Sequence, residues 1–347
     1  MAKELRIGIV GAGGIVRSRH MPNLQRIDGV RVVAVSNRHR ESAERFAAEF
    51  GVQTVYDAWR QLVASPAIDI VWIGTWPYMH AEVAEAALAG GKHVFCQARM
   101  AMDLLEARRM VETARRHPEL ITMLCPPPHG LAGDTVMRRM LQQDGFCGQV
   151  LQVRLTALSD AWLAEQAPLN WRKDERLSGR NILTLGIYVE VLHRWLGYHS
   201  SVMADFDTHV RQRRDPQTDR MRDVIIPDAV RILARYQMGA GAEYHLSGLC
   251  AAPPDETLEI YGTAGTIVYN FTKDLILAGK PGQGGLAEVV LEPRREWTVE
   301  RDFIHAVQTG DRTAIEPTFE QGLKYMEFLE AVWLSRQQRA EVRLPLE

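Results

Sequence analysis

The stretch LRIGIVGAGGIV, Leu5 to Val16, decides the fold. Leu5 to Val10 is an apolar run broken only by Arg6, the length of a strand and too continuously apolar to have one wet face. Gly11-Ala12-Gly13-Gly14 follows at once, and Ile15-Val16 opens a helical pattern that runs to about Arg26. A strand that turns through glycines straight into a helix is half of a βαβ unit. Gly11 suits the tight turn, and Gly13 lets the backbone approach a pyrophosphate. Gly14 and Ile15 then lie where a helix N-terminus offers unpaired N–H groups and the positive end of its dipole. Val16 takes the place where the strict pattern has glycine or alanine, so the helix is expected to stand slightly away from the strand.

The same scheme repeats outward. RVVAV (31–35), DIVWIGTW (69–76), KHVFCQ (92–97) and LITMLC (120–125) are short apolar runs, with helical spacing over Glu41–Phe50 and His80–Ala89. Such alternation predicts a parallel sheet covered on both faces. It stops at Cys125-Pro126-Pro127-Pro128-His129-Gly130, because three prolines without N–H donors cannot continue a central strand. Longer alternating segments follow: VLQVRLTAL (150–158), AVRILARY (229–236), AEYHLSGL (242–249) and ETLEIYGTAGTIVYN (256–270), with a helix near Ile182–Leu196. The expected architecture is α/β: an N-terminal doubly wound Rossmann domain over 1–124 and an α+β domain over 125–347 with a large, open, mostly antiparallel sheet. A helical tail from about Val299 to Arg336, split at Gly310 and Pro317, could pack back on the first domain.

Composition excludes several classes of function. With 41 basic against 43 acidic side chains the charge is nearly balanced and forms no long block, which argues against a nucleic-acid partner. No apolar run is long enough to span a bilayer. The four cysteines show no metal-type spacing, and histidines and carboxylates are scattered, so no metal site is expected. A strand that begins almost at once leaves no room for a signal peptide, and a reducing cytoplasm is the expected compartment.

The end of the second strand bears on the cofactor. An acidic residue there would bond the ribose 2′-hydroxyl of NAD and repel a 2′-phosphate. The chain instead reads Ser36-Asn37-Arg38-His39-Arg40. Hydroxyl, amide and guanidinium groups suit the phosphate of NADP(H), with NAD as the alternative.

Several segments resemble the glucose–fructose oxidoreductase, inositol dehydrogenase and rhizopine-catabolism family, called Gfo/Idh/MocA. They are GIVGAGGIVRSRHMPNL (8–24), Thr75-Trp76-Pro77-Tyr78-Met79-His80, AGGKHVFCQARMA (89–101), WRKDERLSGRNILTLGIYVEVLHRWLG (171–197) and DFIHAVQTGDRTAIEPTFEQGLKYMEFLEAVWLS (302–335). The resemblance implies hydride exchange between a nicotinamide and a sugar or cyclitol carbon. It also implies a homodimer or homotetramer formed through the open sheet. It places Thr75, Trp76, Pro77 and His80 along the nicotinamide, with Gln97 bordering the cofactor.

The likeness breaks at the catalytic positions. The family's Glu-Lys-Pro turn aligns with Gln97-Ala98-Arg99, so the lysine is absent. Arg99 could orient an oxyanion or carboxylate but cannot titrate as an acid–base group. The family's aspartate and histidine on the active-site helix align with Thr184 and Tyr188, and a further aspartate with Val191. Asn181, Thr184, Tyr188 and Val191 would share one stripe of that helix. Glu190 and Arg194 would pair elsewhere on its surface, and His193 reads as structural.

Tyr188 is the strongest substitute proton-handling group, its phenolate favoured if Arg99 or Arg172 lies beside it. His129 is a second candidate, and Tyr78, Trp171, Arg172, Asn181 and Thr184 are candidate substrate contacts. The leading expectation is an atypical NADP(H)-dependent oxidoreductase acting on a sugar-like carbonyl or hydroxyl. The alternatives are redox-neutral glycoside cleavage or a lyase reaction with tightly held NAD(P), and a non-catalytic nucleotide-binding regulator.

Overall fold

The computed structural model describes residues 4–346. Two compact units arise, one from Met1–Pro126 with Thr298–Leu323, the other from Pro127–Trp297 with Lys324–Glu347.

In the first unit the strands are β1 (Leu5–Val10), β2 (Val30–Ser36), β3 (Thr54–Val55), β4 (Ile70–Ile73), β5 (His93–Cys96) and β6 (Thr122–Leu124). All pair in parallel, in the order β3-β2-β1-β4-β5-β6. The helices are α1 (Met21–Leu24), which continues a wide turn over Val16–His20, then α2 (Arg40–Phe50), α3 (Trp59–Ala64), α4 (His80–Ala89) and α5 (Leu104–Arg116). The short β3 and α3 have too few apolar positions to declare themselves in sequence. Every residue of β4 is buried, as a strand covered on both faces requires. Trp72 of β4 stacks on Phe95 of β5 with centroids 3.7 Å apart, and Phe303 meets both rings edge-on. The strand order reverses between β1 and β4, so the loops after these two strands flank the switch-point crevice where such sheets bind ligands.

The second unit holds helices α6 (Asp134–Arg138), α7 (Glu175–Ser178) and α8 (Leu185–Leu196). Its strands are β7 (Val150–Leu158), β8 (His199–Asp207), β9 (Gln212–Arg214), β10 (Met221–Asp223), β11 (Ala229–Tyr236), β12 (Gly241–Ser247), β13 (Thr257–Gly262), β14 (Thr266–Asn270), β15 (Leu275–Gly279), β16 (Ala287–Val289) and β17 (Val342–Arg343). Nine form one sheet, β16-β15-β14-β13-β7-β12-β11-β8-β17, antiparallel except where β7 meets β12. Strands β11 and β12 alternate buried and exposed positions, so one face is packed and the other open. Gly262 to Gly265 closes the β13–β14 hairpin, with Gly262 N–H donating to the Gly265 carbonyl at 2.9 Å. The tail forms α9 (Val299–Thr309) and α10 (Phe319–Gln338).

Among the described residues no helix is long and apolar enough to cross a membrane. No group of three or more His, Cys, Asp or Glu gathers there as a metal would need. Cys96, Cys125, Cys147 and Cys250 are free thiols.

Candidate functional site

The first unit presents a glycine-lined cradle at the ends of β1 and β4. Gly11 has φ +89°, and a Cβ there would stand 2.6 Å from the Thr75 backbone, so only glycine fits. Gly13 has no atom nearer than 3.9 Å to its would-be Cβ, and Gly14 has none within 4 Å. Packing therefore does not explain these two glycines, whereas an approaching ligand does. Val16, expected to push the helix outward, is fully buried. It is accommodated by Gly74 after β4, whose Cβ would collide with Val16 Cγ2 at 2.4 Å.

The predicted phosphate-binding trio divides. Ser36 is buried, and its carbonyl accepts from Gly11 N–H at 2.9 Å. The Asn37 Oδ1 accepts from Ala12 N–H at 2.7 Å, and its amide donates to Ser42 Oγ at 3.1 Å. Both brace the glycine loop, Ser36 through its backbone and Asn37 through its side chain. Arg40 is spent on Glu44 and Asp57. Arg38 alone is exposed and makes no hydrogen bond or ion pair among the described residues.

The turn after β4 follows the same division. Thr75 Oγ1 is buried and has no hydrogen-bond partner among the described residues. Trp76 and Ile15 are exposed apolar side chains, Pro77 is buried and Tyr78 half-buried. His80, expected to contact the cofactor, is wholly buried. Its Nε2 faces the Thr75 carbonyl at 3.0 Å, and its Nδ1 faces the Arg99 and Met100 carbonyls at 2.9 and 3.2 Å. Burial pushes its pKa down despite these carbonyls. Both His80 ring nitrogens are thus turned toward backbone carbonyls.

Gln97 is buried at the end of β5, its amide nitrogen against His20 Nε2. His20 Nδ1 meets Glu300 Oε1 at 2.5 Å, and Asn23 donates to Glu300 Oε2 at 3.1 Å. One tautomer satisfies the chain: Nδ1–H donates to the carboxylate while Nε2 accepts from the amide. The Gln97 side-chain oxygen makes no hydrogen bond among the described residues. Arg99 follows Ala98 through a cis peptide, and its side chain is buried.

In the second unit the aligned helix starts later than expected. Leu183 takes φ +44°, a conformation helices do not use, and α8 begins at Leu185. Asn181 and Thr184 therefore precede the helix and do not extend its stripe. Asn181 is buried and donates to the Ser178 carbonyl at 2.6 Å. Thr184 is half-buried, and Val191 is fully buried. The Glu190–Arg194 pair exists, with Nε and Oε1 2.9 Å apart, but it is buried because Arg194 also reaches Asp134 at 2.9 Å. Arg172 is exposed and stacks on the neighbouring Trp171 with its Cζ 4.4 Å from the ring centroid.

Tyr188 is fully buried, and its hydroxyl donates to Glu256 Oε2. His129 Nδ1 lies 3.4 Å from the Tyr188 oxygen and 3.8 Å from Glu256 Oε2. Burial and the carboxylate push the phenol well above its ordinary pKa. The expectation that Arg172 would favour a phenolate is thus overturned within this unit, since a carboxylate occupies that place. Sequence reasoning missed Glu256, which opens an alternating segment and reads as strand surface. It also missed Gly74 and His20.

Comparison with known proteins bears on both units. A family model described as "Oxidoreductase family, NAD-binding Rossmann fold" matches residues 5–124. A second, described as "GFO/IDH/MocA C-terminal domain", matches residues 136–268. The levoglucosan dehydrogenase of Pseudarthrobacter phenanthrenivorans is 26% identical over 297 residues, spanning 78% of this chain and 75% of that protein. The myo-inositol 2-dehydrogenase of Thermotoga maritima is 23% identical over 321 residues, 90% of each. A solved levoglucosan dehydrogenase in complex with NADH and L-sorbose shares the fold with a TM-score of 0.85 at 21% identity, covering 98% of this chain and 99% of that one.

Proposed function

The chain belongs to the Gfo/Idh/MocA oxidoreductase family, and from that premise we propose that it exchanges hydride between NADP(H) and a carbonyl or hydroxyl carbon of a sugar-like compound. The relatives named for levoglucosan and myo-inositol support a polyhydroxylated substrate. The observation that carries the reading is the cradle after β1, in which Gly13 and Gly14 have open space and the only uncommitted cation is Arg38 among the described residues at the β2 end.

Gly11, Gly13, Gly14 and Ile15 hold the pyrophosphate. Arg38 takes the 2′-phosphate. Thr75 Oγ1, with Trp76, Pro77 and the Gln97 oxygen, lines the nicotinamide end, and the unpartnered Thr75 hydroxyl fits an amide group. The nicotinamide, when bound, supplies or accepts the hydride. The second unit handles the substrate: Tyr188 takes the position that the family resemblance gives to histidine, Trp171 suits a sugar C–H face and Arg172 its polar rim. The protein works in the cytoplasm as a homodimer or homotetramer. Met203 and Leu233, 50% and 58% exposed on the open sheet face, support assembly there.

The test is nicotinamide absorbance with NADPH and NADP across a panel of sugars, anhydrosugars and cyclitols. Turnover with at least one member, with NADPH preferred, is expected. Tight NADPH binding with no turnover across the panel would return the chain to the class of non-catalytic nucleotide binders. Product formed without change in the redox state of a copurifying cofactor would point to redox-neutral cleavage.

A further inference from the structure

We propose that Glu256, held by Tyr188 and faced by His129, is the group that exchanges a proton with the substrate hydroxyl, and that Tyr188 is a positioning residue. This rests on the oxidoreductase reading above.

Exposure separates the three groups. Tyr188 is 0% exposed, whereas the side chains of Glu256 and His129 are 25% and 30% exposed. The phenol hydrogen is already committed to Glu256 Oε2, so the phenol keeps its proton and faces inward. Glu256 Oε2 carries the Tyr188 hydrogen bond and is the oxygen nearest His129. Glu256 Oε1 makes no hydrogen bond among the described residues, and it is the oxygen left to accept a proton. The backbone fixes the residue as well, since Glu256 N–H donates to Thr272 Oγ1 at 3.0 Å and its carbonyl accepts from Phe271 N–H at 2.8 Å. The Tyr188 ring is held in turn between His129 and Phe271, each with ring centroids 5.2 Å away.

The proton accounting is direct. In the oxidative direction the substrate O–H bond breaks and its proton goes to Glu256 Oε1. The hydrogen on carbon leaves with its electron pair to the oxidised nicotinamide, and the O–H electron pair becomes the second C–O bond. Glu256 Oε1, on a side chain that is 25% exposed, then releases the proton to water. Burial pushes the His129 pKa down while Glu256 and Asp274 act the other way. Reduction runs the same path backward. The arrangement supplies a carboxylate in place of the lysine and histidine that the family resemblance implies.

The test compares wild type with Glu256→Gln, Glu256→Asp and Tyr188→Phe in the oxidative direction, using a hydroxyl substrate from the panel and NADP. Glu256→Gln is expected to lower kcat about 100-fold or more and remove the acidic limb of the pH profile. Glu256→Asp should recover part of the rate. Tyr188→Phe should lower kcat about tenfold with KM nearly unchanged and move that limb without removing it. NADPH titration by fluorescence confirms that each variant is folded. Independently of turnover, the His129 ring resonances are followed by NMR against pH. The carboxylate favours the imidazolium, so the His129 midpoint should fall in Glu256→Gln; Asp274, the other charge acting on this ring, is unchanged. An active wild type with an equally active Glu256→Gln overturns the proposal, as does an unmoved His129 midpoint. A wild type that turns over nothing overturns the oxidoreductase reading instead, and the titration alone then decides whether Glu256 and His129 act together.

Discussion

Val16 and Gly74 share a single packing space. A methyl group on Gly74 would lie 2.4 Å from Val16 Cγ2 and 2.4 Å from the Gly11 carbonyl oxygen. The small residue that the glycine loop lacks at Val16 has, in effect, moved to the end of β4. Gly74→Ala should therefore destabilise by about 2–3 kcal/mol, as overpacking does, and weaken NADPH binding more than tenfold by displacing the loop. Urea denaturation and fluorescence titration measure the two effects. Adding Val16→Ala should not restore binding, because the clash with the Gly11 carbonyl persists. Full rescue by that change would show that the carbonyl contact is unimportant.

Arg38 and Arg40 lie two residues apart and should behave differently. Arg40 is engaged by Glu44 and Asp57, whereas Arg38 has no partner among the described residues. Arg38→Ala is expected to weaken NADPH about tenfold, or about 1.4 kcal/mol, and to leave NADH unchanged. Arg40→Ala should change neither. Parallel titrations with both nucleotides decide; equal loss for NADH and NADPH would place Arg38 away from the 2′-phosphate.

Three buried histidines make stability depend on pH. Burial pushes His80 and His199 below the usual imidazole value, and His193 down to about 3. Unfolded, each titrates near ~6.5. Between the two values the unfolded chain binds more protons, so stability rises with pH there. The contribution is complete above the unfolded value and is lost as pH falls from ~6.5 toward each folded value. Each group contributes at most about 1.4 kcal/mol per pH unit. Urea midpoints should drop between pH ~7 and ~5, and His193→Asn should flatten that slope. An unchanged slope would mean that His193 titrates normally in the folded chain.

Asp134 gathers the charge of the second unit. It accepts from Arg194 at 2.9 Å, Trp195 Nε1 at 2.8 Å and Arg138 at 3.1 Å, and it also meets Arg295. Burial alone would raise its pKa, but Arg194, Arg138 and Arg295 outweigh it and hold the carboxyl below its ordinary range. Asp134→Asn should cost about 3–5 kcal/mol, because it leaves buried Arg194 with Glu190 as its remaining counter-charge. Chemical denaturation measures this. A loss below about 1 kcal/mol would mean that solvent compensates the arginine.

The parallel sheet was legible because continuous apolar runs separated by helical spacing have few other solutions. The hairpin at Gly262–Gly265 was legible for a similar reason, since two alternating segments met at glycines. The start of α8 was misjudged by three residues. Asn181 to Thr184 lie outside the helix, with Leu183 at positive φ just before its start. The Glu190–Arg194 pair was anticipated from spacing, but its burial was not, since Asp134 lies 60 residues from Arg194 in the chain.

Sequence by itself determined the raw material of the parallel sheet, the glycine loop and the family, because each is encoded by residues close together in the chain. Tertiary structure alone decided which polar groups remain available. Ser36, Asn37 and His80 resemble ligand contacts in sequence, yet folding uses them to brace turns. Glu256 looked like strand surface, yet it receives the hydroxyl of Tyr188, 68 positions away in the chain. The physical reason is satisfaction: a polar group's role depends on whether the fold already supplies its partner, and local sequence does not record partners that arrive from afar. The opening stretch from Leu5 to Val16 shows both sides. Its glycines announce the cradle, while the glycine that makes room for Val16 lies more than fifty residues away at Gly74.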